Sequence, residues 1–311
     1  MELILILLAL SAAIFMSMAI GASAIASAFA PVASSGSSNI LRSALLAGIA
    51  ALLGGLIQGR KVTETVGSGI LGGSIGVVQA VTILLIASVL GIASTLTNYP
   101  MPTAFTVVGA VVGSGIGFGS AVQWGMVKLI LGYWLLVPLF GVGLGYVTFL
   151  VVDHLVPKEK NEERVRYVVL FLGLVLAFTA GANSIGKAIG PLNALDMNIT
   201  HLLIMGSVAM MVGSWILSPR IINAISYDYS NIGPRRSMVA LGTAAFLTQI
   251  GTFLGVPISF AQAIIAAVIG SGAAVGTTNI GKRKVMLTVG GWITAFLASM
   301  GLAFVIGHFI F

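Results

Sequence analysis

Apolar residues run along this chain in long blocks, and the charged and turn-forming residues are gathered into the short stretches between them. The blocks cover roughly 2–30, 43–58, 74–98, 102–120, 126–152, 167–192, 201–218, 238–254, 256–273 and 285–310. Most approach the ~20 residues that a helix needs to cross a hydrocarbon core of ~30 Å. The pattern predicts an all-α integral membrane protein of about ten hydrophobic segments, five on each side of residues 153–166. That stretch, Asp-His-Leu-Val-Pro-Lys-Glu-Lys-Asn-Glu-Glu-Arg-Val-Arg, is the densest charge cluster and reads as an exposed linker between halves 1–152 and 167–311.

The two halves share internal similarity. Gly21-Ala-Ser-Ala-Ile-Ala-Ser-Ala-Phe-Ala-Pro31 matches Gly181-Ala-Asn-Ser-Ile-Gly-Lys-Ala-Ile-Gly-Pro191 at five of eleven positions, 160 residues apart, and the same offset carries Arg60 onto Arg220. Later, Pro100 and Pro257 each precede a Gly-Ser-Gly, at Gly113 and Gly270, by thirteen residues. Halves that each hold an odd number of crossings insert upside down relative to one another. The expected architecture is a pair of inverted-topology repeats with a midplane site between them, as in many secondary transporters.

Composition narrows the class. With 7% charged residues, 58% hydrophobic ones and a mean hydropathy of +1.10, the chain has too little polar surface to cover a soluble fold. There is no cysteine, which removes disulfides, thiol nucleophiles and thiolate metal sites. The net charge of +7 is scattered over loops rather than drawn into a stripe, so no nucleic-acid partner is expected. If every segment crosses, one side collects eleven Lys and Arg residues, including Arg42, Arg220 and Arg235, against Arg60, Lys61 and Lys128 on the other. The positive-inside bias then makes the linker cytoplasmic and puts both termini outside a plasma membrane. The first block is read as an uncleaved segment because no basic residue precedes it.

The candidate chemistry lies where Pro, Gly and hydroxyl residues interrupt apolar runs. Such interruptions are tolerated at membrane depth only where protein or a wet cavity satisfies the backbone, and they expose helix N-termini that attract anions. On this reasoning the two signatures and the two Gly-Ser-Gly clusters are expected to be broken or re-entrant walls of one site. Ser23 and Ser27 are four apart, as are Asn183 and Lys187, so each pair shares a helix face. Each serine has a bland alternative, a bond to its own preceding turn. Lys187 is sharper, because an ionisable group inside a membrane segment is costly, although it could instead snorkel to the interface. Glu64, four residues after Arg60, is either half of a surface ion pair or a coupling carboxylate. The three histidines show no ligand spacing, so no metal site is expected. Gly72-Gly-Ser74-Ile-Gly76 fits the loose Gly-x-Ser-x-Gly pattern, but that pattern needs a strand-to-helix elbow, and no enzyme is expected.

At these motifs the sequence resembles the PiT family of inorganic phosphate transporters over essentially its whole length. That family carries a Gly-Ala-Asn-Asp-Val-Ala-Asn-Ala type signature in each half and a later Pro-Val-Ser-Thr-Thr-His type segment. Here the signatures place Ala24 and Ser184 where the family has aspartate, and Ser27 and Lys187 where it has its second asparagine. The later segments read Pro100-Met-Pro-Thr103-Ala-Phe105 and Pro257-Ile-Ser259-Phe-Ala-Gln262, and Gly59-Arg-Lys-Val-Thr-Glu-Thr-Val66 also looks like the family's first half. The Gly-Ala-Ser start of the first signature resembles the family's bacterial sulfate permease branch.

The resemblance implies a secondary active transporter, an ion-coupled symporter, for a tetrahedral inorganic oxyanion. Ser23, Ser27, Thr103, Asn183, Ser184, Lys187 and Ser259 would line the substrate site. Loss of two carboxylates moves the matched positions from about -2 to +1, which favours sulfate, an acceptor only, over a phosphate that carries a proton. Phosphate transport is the alternative within the family, and a passive anion channel is the alternative of another kind. No cofactor is expected beyond the coupling ion, H+ or Na+. The partners are the anion and the bilayer, and a homo-oligomer is compatible with the sequence.

Overall fold

The computed structural model describes residues 2–97, 102–156, 162–228, 232–276 and 282–310, and among these there are helices and turns but no strand. Each of the ten apolar runs falls on one helical segment. The first is a continuous rod of α1 (Glu2–Ile20), a π-helical turn (Gly21–Ile25) and α2 (Ala26–Ser34), with Pro31 inside it. The second is α3 (Ile40–Gln58), started by Asn39, whose side chain accepts from Arg42 N at 2.8 Å. It leads through α4 (Arg60–Glu64) into another π turn (Thr65–Gly69). Then come α5 (Val77–Thr97), α6 (Thr103–Gly117) and α7 (Trp124–Leu155). The second half holds α8 (Glu162–Ile189) with a 3-10 extension (Gly190–Leu195), α9 (Ile199–Asp228), α10 (Gly233–Phe253), α11 (Phe260–Ala274) and α12 (Lys282–Phe309).

The helices α7 and α8 extend into the charged linker from both sides, so it is shorter than residues 153–166; positions 157–161 lie outside the described residues. Asp153, at the end of α7, pairs with Arg235 at the start of α10 at 3.6 Å. Among the described residues, six helical stretches are long and apolar enough to cross a membrane, those beginning at Glu2, Ile40, Trp124, Glu162, Ile199 and Met286. Helices α6 and α11 are shorter, 15 residues each. At 1.5 Å per residue that is ~22 Å, less than the ~30 Å of a hydrocarbon core.

Packing crosses between the halves. Helix α6 lies mainly on α12 and α11 mainly on α7, while α3 packs on both α8 and α9 and the α1 rod packs on α9. Small residues make these crossings close. A Cβ on Gly21 would collide with the Met210 carbonyl oxygen on α9, and one on Gly181 with that of Ala51 on α3.

The Gly-Ser-Gly clusters do not break their helices. Gly113 and Gly270 sit inside uninterrupted α6 and α11, against the carbonyls of Met300 and Val142, where the missing side chain allows close packing. Gly181 and its neighbours likewise lie within unbroken α8. The Pro- and Gly-bearing break falls instead at residues 254–259, between α10 and α11, where Val256, Pro257, Ile258 and Ser259 are all buried. Pro100 lies outside the described residues, so the matching stretch of the first half is described only from Pro102, the residue that precedes α6.

Candidate functional site

A non-helical stretch inside a membrane protein must have its peptide groups satisfied from elsewhere. In the 254–259 break the bookkeeping runs through side chains of the second signature. Asn183 Nδ2 donates to Val256 O at 2.7 Å and to Thr252 Oγ1 at 3.2 Å, and its Oδ1 accepts from Ile258 N at 2.9 Å. One amide thus pairs with both sides of Pro257, which has no N–H of its own. Trp134 Nε1, from α7, donates to Pro257 O at 2.8 Å. Lys187 Nζ donates to Ile258 O at 3.1 Å.

Asn183, Ser184 and Lys187 occupy two successive turns of α8, and Thr179 extends the polar face one turn back. Lys187 is 1% exposed, so it does not snorkel. The ring of Phe260 lies 5.7 Å from its nitrogen. Ion pairing at Lys187 is absent among the described residues, where the pairs are Arg60–Glu64 and Arg235–Asp153. An ammonium offers three donors and Ile258 O takes one of them. Ser184 Oγ, one turn earlier, is buried and has no hydrogen-bond partner. Ser259 caps α11, its side chain accepting from Gln262 N at 3.4 Å. The N-terminal end of a 15-residue helix, the positive end of its dipole, therefore lies close to the buried lysine, whose nitrogen bonds Ile258 O just ahead of it.

Around this cluster are residues that the sequence did not single out. Gln262 Nε2 donates to Trp134 O at 2.9 Å, which leaves its buried Oε1 without a partner. The Trp134 ring stacks on Phe105 at 3.8 Å, and Phe105 is stacked in turn near Trp292 at 6.1 Å. The tryptophan thus joins the starts of α6 and α11. One turn from Asn183, Thr179 Oγ1 donates to Gln249 Oε1 at 2.6 Å, and Gln249 Nε2 donates to Gln58 Oε1 at 2.9 Å. A glutamine or tryptophan in the middle of an apolar run was the available signal for these positions.

The other expected residues are placed differently. Ser23 Oγ donates to Ala19 O and Ser27 Oγ to Ser23 O, both at 2.9 Å, so each hydroxyl is bound to its own preceding turn. Thr103 begins α6, two residues before Phe105. Glu64 accepts from Arg60 Nε at 2.8 Å, with both side chains more than half exposed. Ser74 is exposed in a turn with no strand before it, which leaves the Gly-x-Ser-x-Gly string without its elbow. No group of three His, Asp or Glu side chains able to hold a metal occurs among the described residues.

Comparison with known proteins adds a family. A model of the phosphate transporter family matches residues 20–168 and again residues 156–303. The chain is similar to the sulfate permease CysP of Bacillus subtilis, 28% identical over 305 residues, which cover 94% of this chain and 84% of that one. In structure it is similar to the sodium-dependent phosphate transporter, with a TM-score of 0.87 at 17% identity over 97% of this chain and 98% of that one.

Proposed function

Because this chain belongs to the phosphate transporter family, we propose that it is a secondary active transporter of a tetrahedral oxyanion, with sulfate preferred. The observation that carries this reading is Lys187, a buried amine with one carbonyl partner and no carboxylate counter-ion among the described residues. Placed beside the unpartnered Ser184 hydroxyl and the N-terminus of α11, its ammonium offers donors beyond the one that Ile258 O takes, and a tetrahedral anion supplies the acceptors. Sulfate fits such a set because it only accepts; Ser184 stands where a phosphate carrier's carboxylate would receive the proton of hydrogen phosphate. The family description and the similarity to a sulfate permease support both anions as substrates to be tested.

The transporter sits in the plasma membrane with both termini outside, as two inverted repeats. The crosswise packing of α6 on α12 and α7 on α11, and of each signature on the other half's second segment, supports that relation. Coupling is to a proton or to sodium. The sequence's carboxylate candidate, Glu64, is held in an exposed pair.

Proteoliposomes given labelled sulfate or phosphate in the external medium decide the matter. The expected result is concentrative sulfate uptake under an imposed ion gradient, with selenate and molybdate competing better than phosphate. Uptake of phosphate with exclusion of sulfate would overturn the preference. Uptake that only equilibrates would instead identify a channel. Ser184→Asp is expected to shift the preference toward phosphate.

A further inference from the structure

We propose that Lys187 is itself the proton carrier of the transport cycle, taking up a proton when the anion binds and giving it back when the anion leaves. This rests on the oxyanion reading of the same site.

The geometry makes the charge state of Lys187 depend on the ligand. Its nitrogen lies 3.1 Å from one carbonyl oxygen and 5.7 Å from an aromatic ring, and the residue is 1% exposed. A neutral amine keeps that N–H···O bond. A full ammonium without the anion would be a buried charge without a counter-charge, which is strongly disfavoured. A dianion in contact reverses the balance, because its field is strong where water is excluded.

Among the described residues, no carboxylate pairs with Lys187 in place of that anion. On α4, which packs against α8, Glu64 is engaged by Arg60, and Lys61 donates to Phe253 O. On α10, Arg235 pairs with Asp153 and Arg236 donates to Val268 O, both at the first turn, about twenty residues from the break. Helix α3 carries Arg42 at its start, and α9 carries His201 in its first turn, Arg220 further along and Asp228 as its last residue. The α1 rod carries Glu2 at its first turn, and α6 carries no ionisable side chain. The step is a simple addition: one amine, one proton from water on the loading side and one oxyanion give an ammonium–oxyanion pair, and the reverse on the other side returns the proton to water.

The test is proton uptake on binding. Purified protein in weakly buffered detergent solution near pH 8, with a pH-indicator dye, is titrated with potassium sulfate while binding is followed by calorimetry. The wild-type chain should take up about one proton per sulfate bound. Lys187→Gln should bind at least tenfold more weakly and take up none, and Lys187→Arg, which remains charged in the empty site, should take up none even where it binds. Sulfate binding by the wild type without proton uptake overturns this inference and leaves the transport reading standing. So does uptake abolished by Glu64→Gln with Lys187 intact. Failure of the wild type to bind any of sulfate, phosphate and selenate overturns both.

Discussion

Ser23 and Ser27 donate to carbonyls of their own helix, whereas Asn183 and Lys187, at the matched positions 160 residues later, reach across to the break between α10 and α11. Both signatures sit at the same kind of close helix crossing, each with its glycine against a partner carbonyl. They differ in side-chain reach. A serine hydroxyl is two bonds from Cα and finds the i−4 carbonyl before anything else. An amide or an ammonium extends far enough to serve a neighbouring element. The first signature also begins in a π turn, which holds Ser23 but not Ser27, whereas Gly181 to Ile189 of the second lie in regular α-helix. Two segments of similar sequence can therefore share packing while only one sends side chains to a neighbouring element.

The comparison can be broken first at its shared part. Gly21→Val and Gly181→Val should be equally severe, because each puts a side chain into backbone. Loss of most monodisperse protein in size-exclusion profiles is expected for both, and tolerance of either would mean that its crossing is looser than described. The next largest effect separates the halves. Asn183→Ala leaves Val256 O and Ile258 N unpaired, at about 1–3 kcal/mol for each buried group. It should lower both the melting temperature in detergent and the uptake rate, and a merely local effect on uptake would argue that water replaces the amide.

Lys187→Ala should weaken sulfate uptake at least tenfold, about 1.4 kcal/mol, with less effect on the melting temperature than Asn183→Ala. Last come Ser23→Ala and Ser27→Ala. Because their hydroxyls bond within their own helix, each should change uptake by less than about threefold, well under 1 kcal/mol. A tenfold loss at either serine would return the first signature to the site.

Much of the molecule was legible as sequence because membrane helices announce themselves by length and hydropathy. The ten apolar runs coincide with ten helical segments, and the lysine at 187 stood out as a cost needing a reason. The position of the break did not follow. Gly113-Ser-Gly115 and Gly270-Ser-Gly272 have the small residues of a hinge, but in a bilayer small residues more often mean close helix contact, and Gly113 and Gly270 make such contacts. Gly255 and Pro257 form the actual interruption, since a positive φ of 73° at the glycine and the missing N–H of the proline both end a helix. Trp134 and Gln262 could not be assigned from spacing, because they meet through contacts between α7 and α11 that are far apart in the chain. Similarly, Glu64 is four residues from Arg60, and that spacing alone left two readings open.

Trp134 carries a consequence of another kind. Its indole stacks on Phe105 at the start of α6 and donates to Pro257 ahead of α11, so its ring current, polarity and hydrogen bonding all change if those two helix starts separate. The other three tryptophans, Trp124, Trp215 and Trp292, occupy α7's first turn, α9 and α12. A chain that keeps Trp134 and has the others replaced by phenylalanine would carry its own optical gauge of the gap between α6 and α11. Its emission colour and quenching by acrylamide would follow loading and release in real time without any attached label.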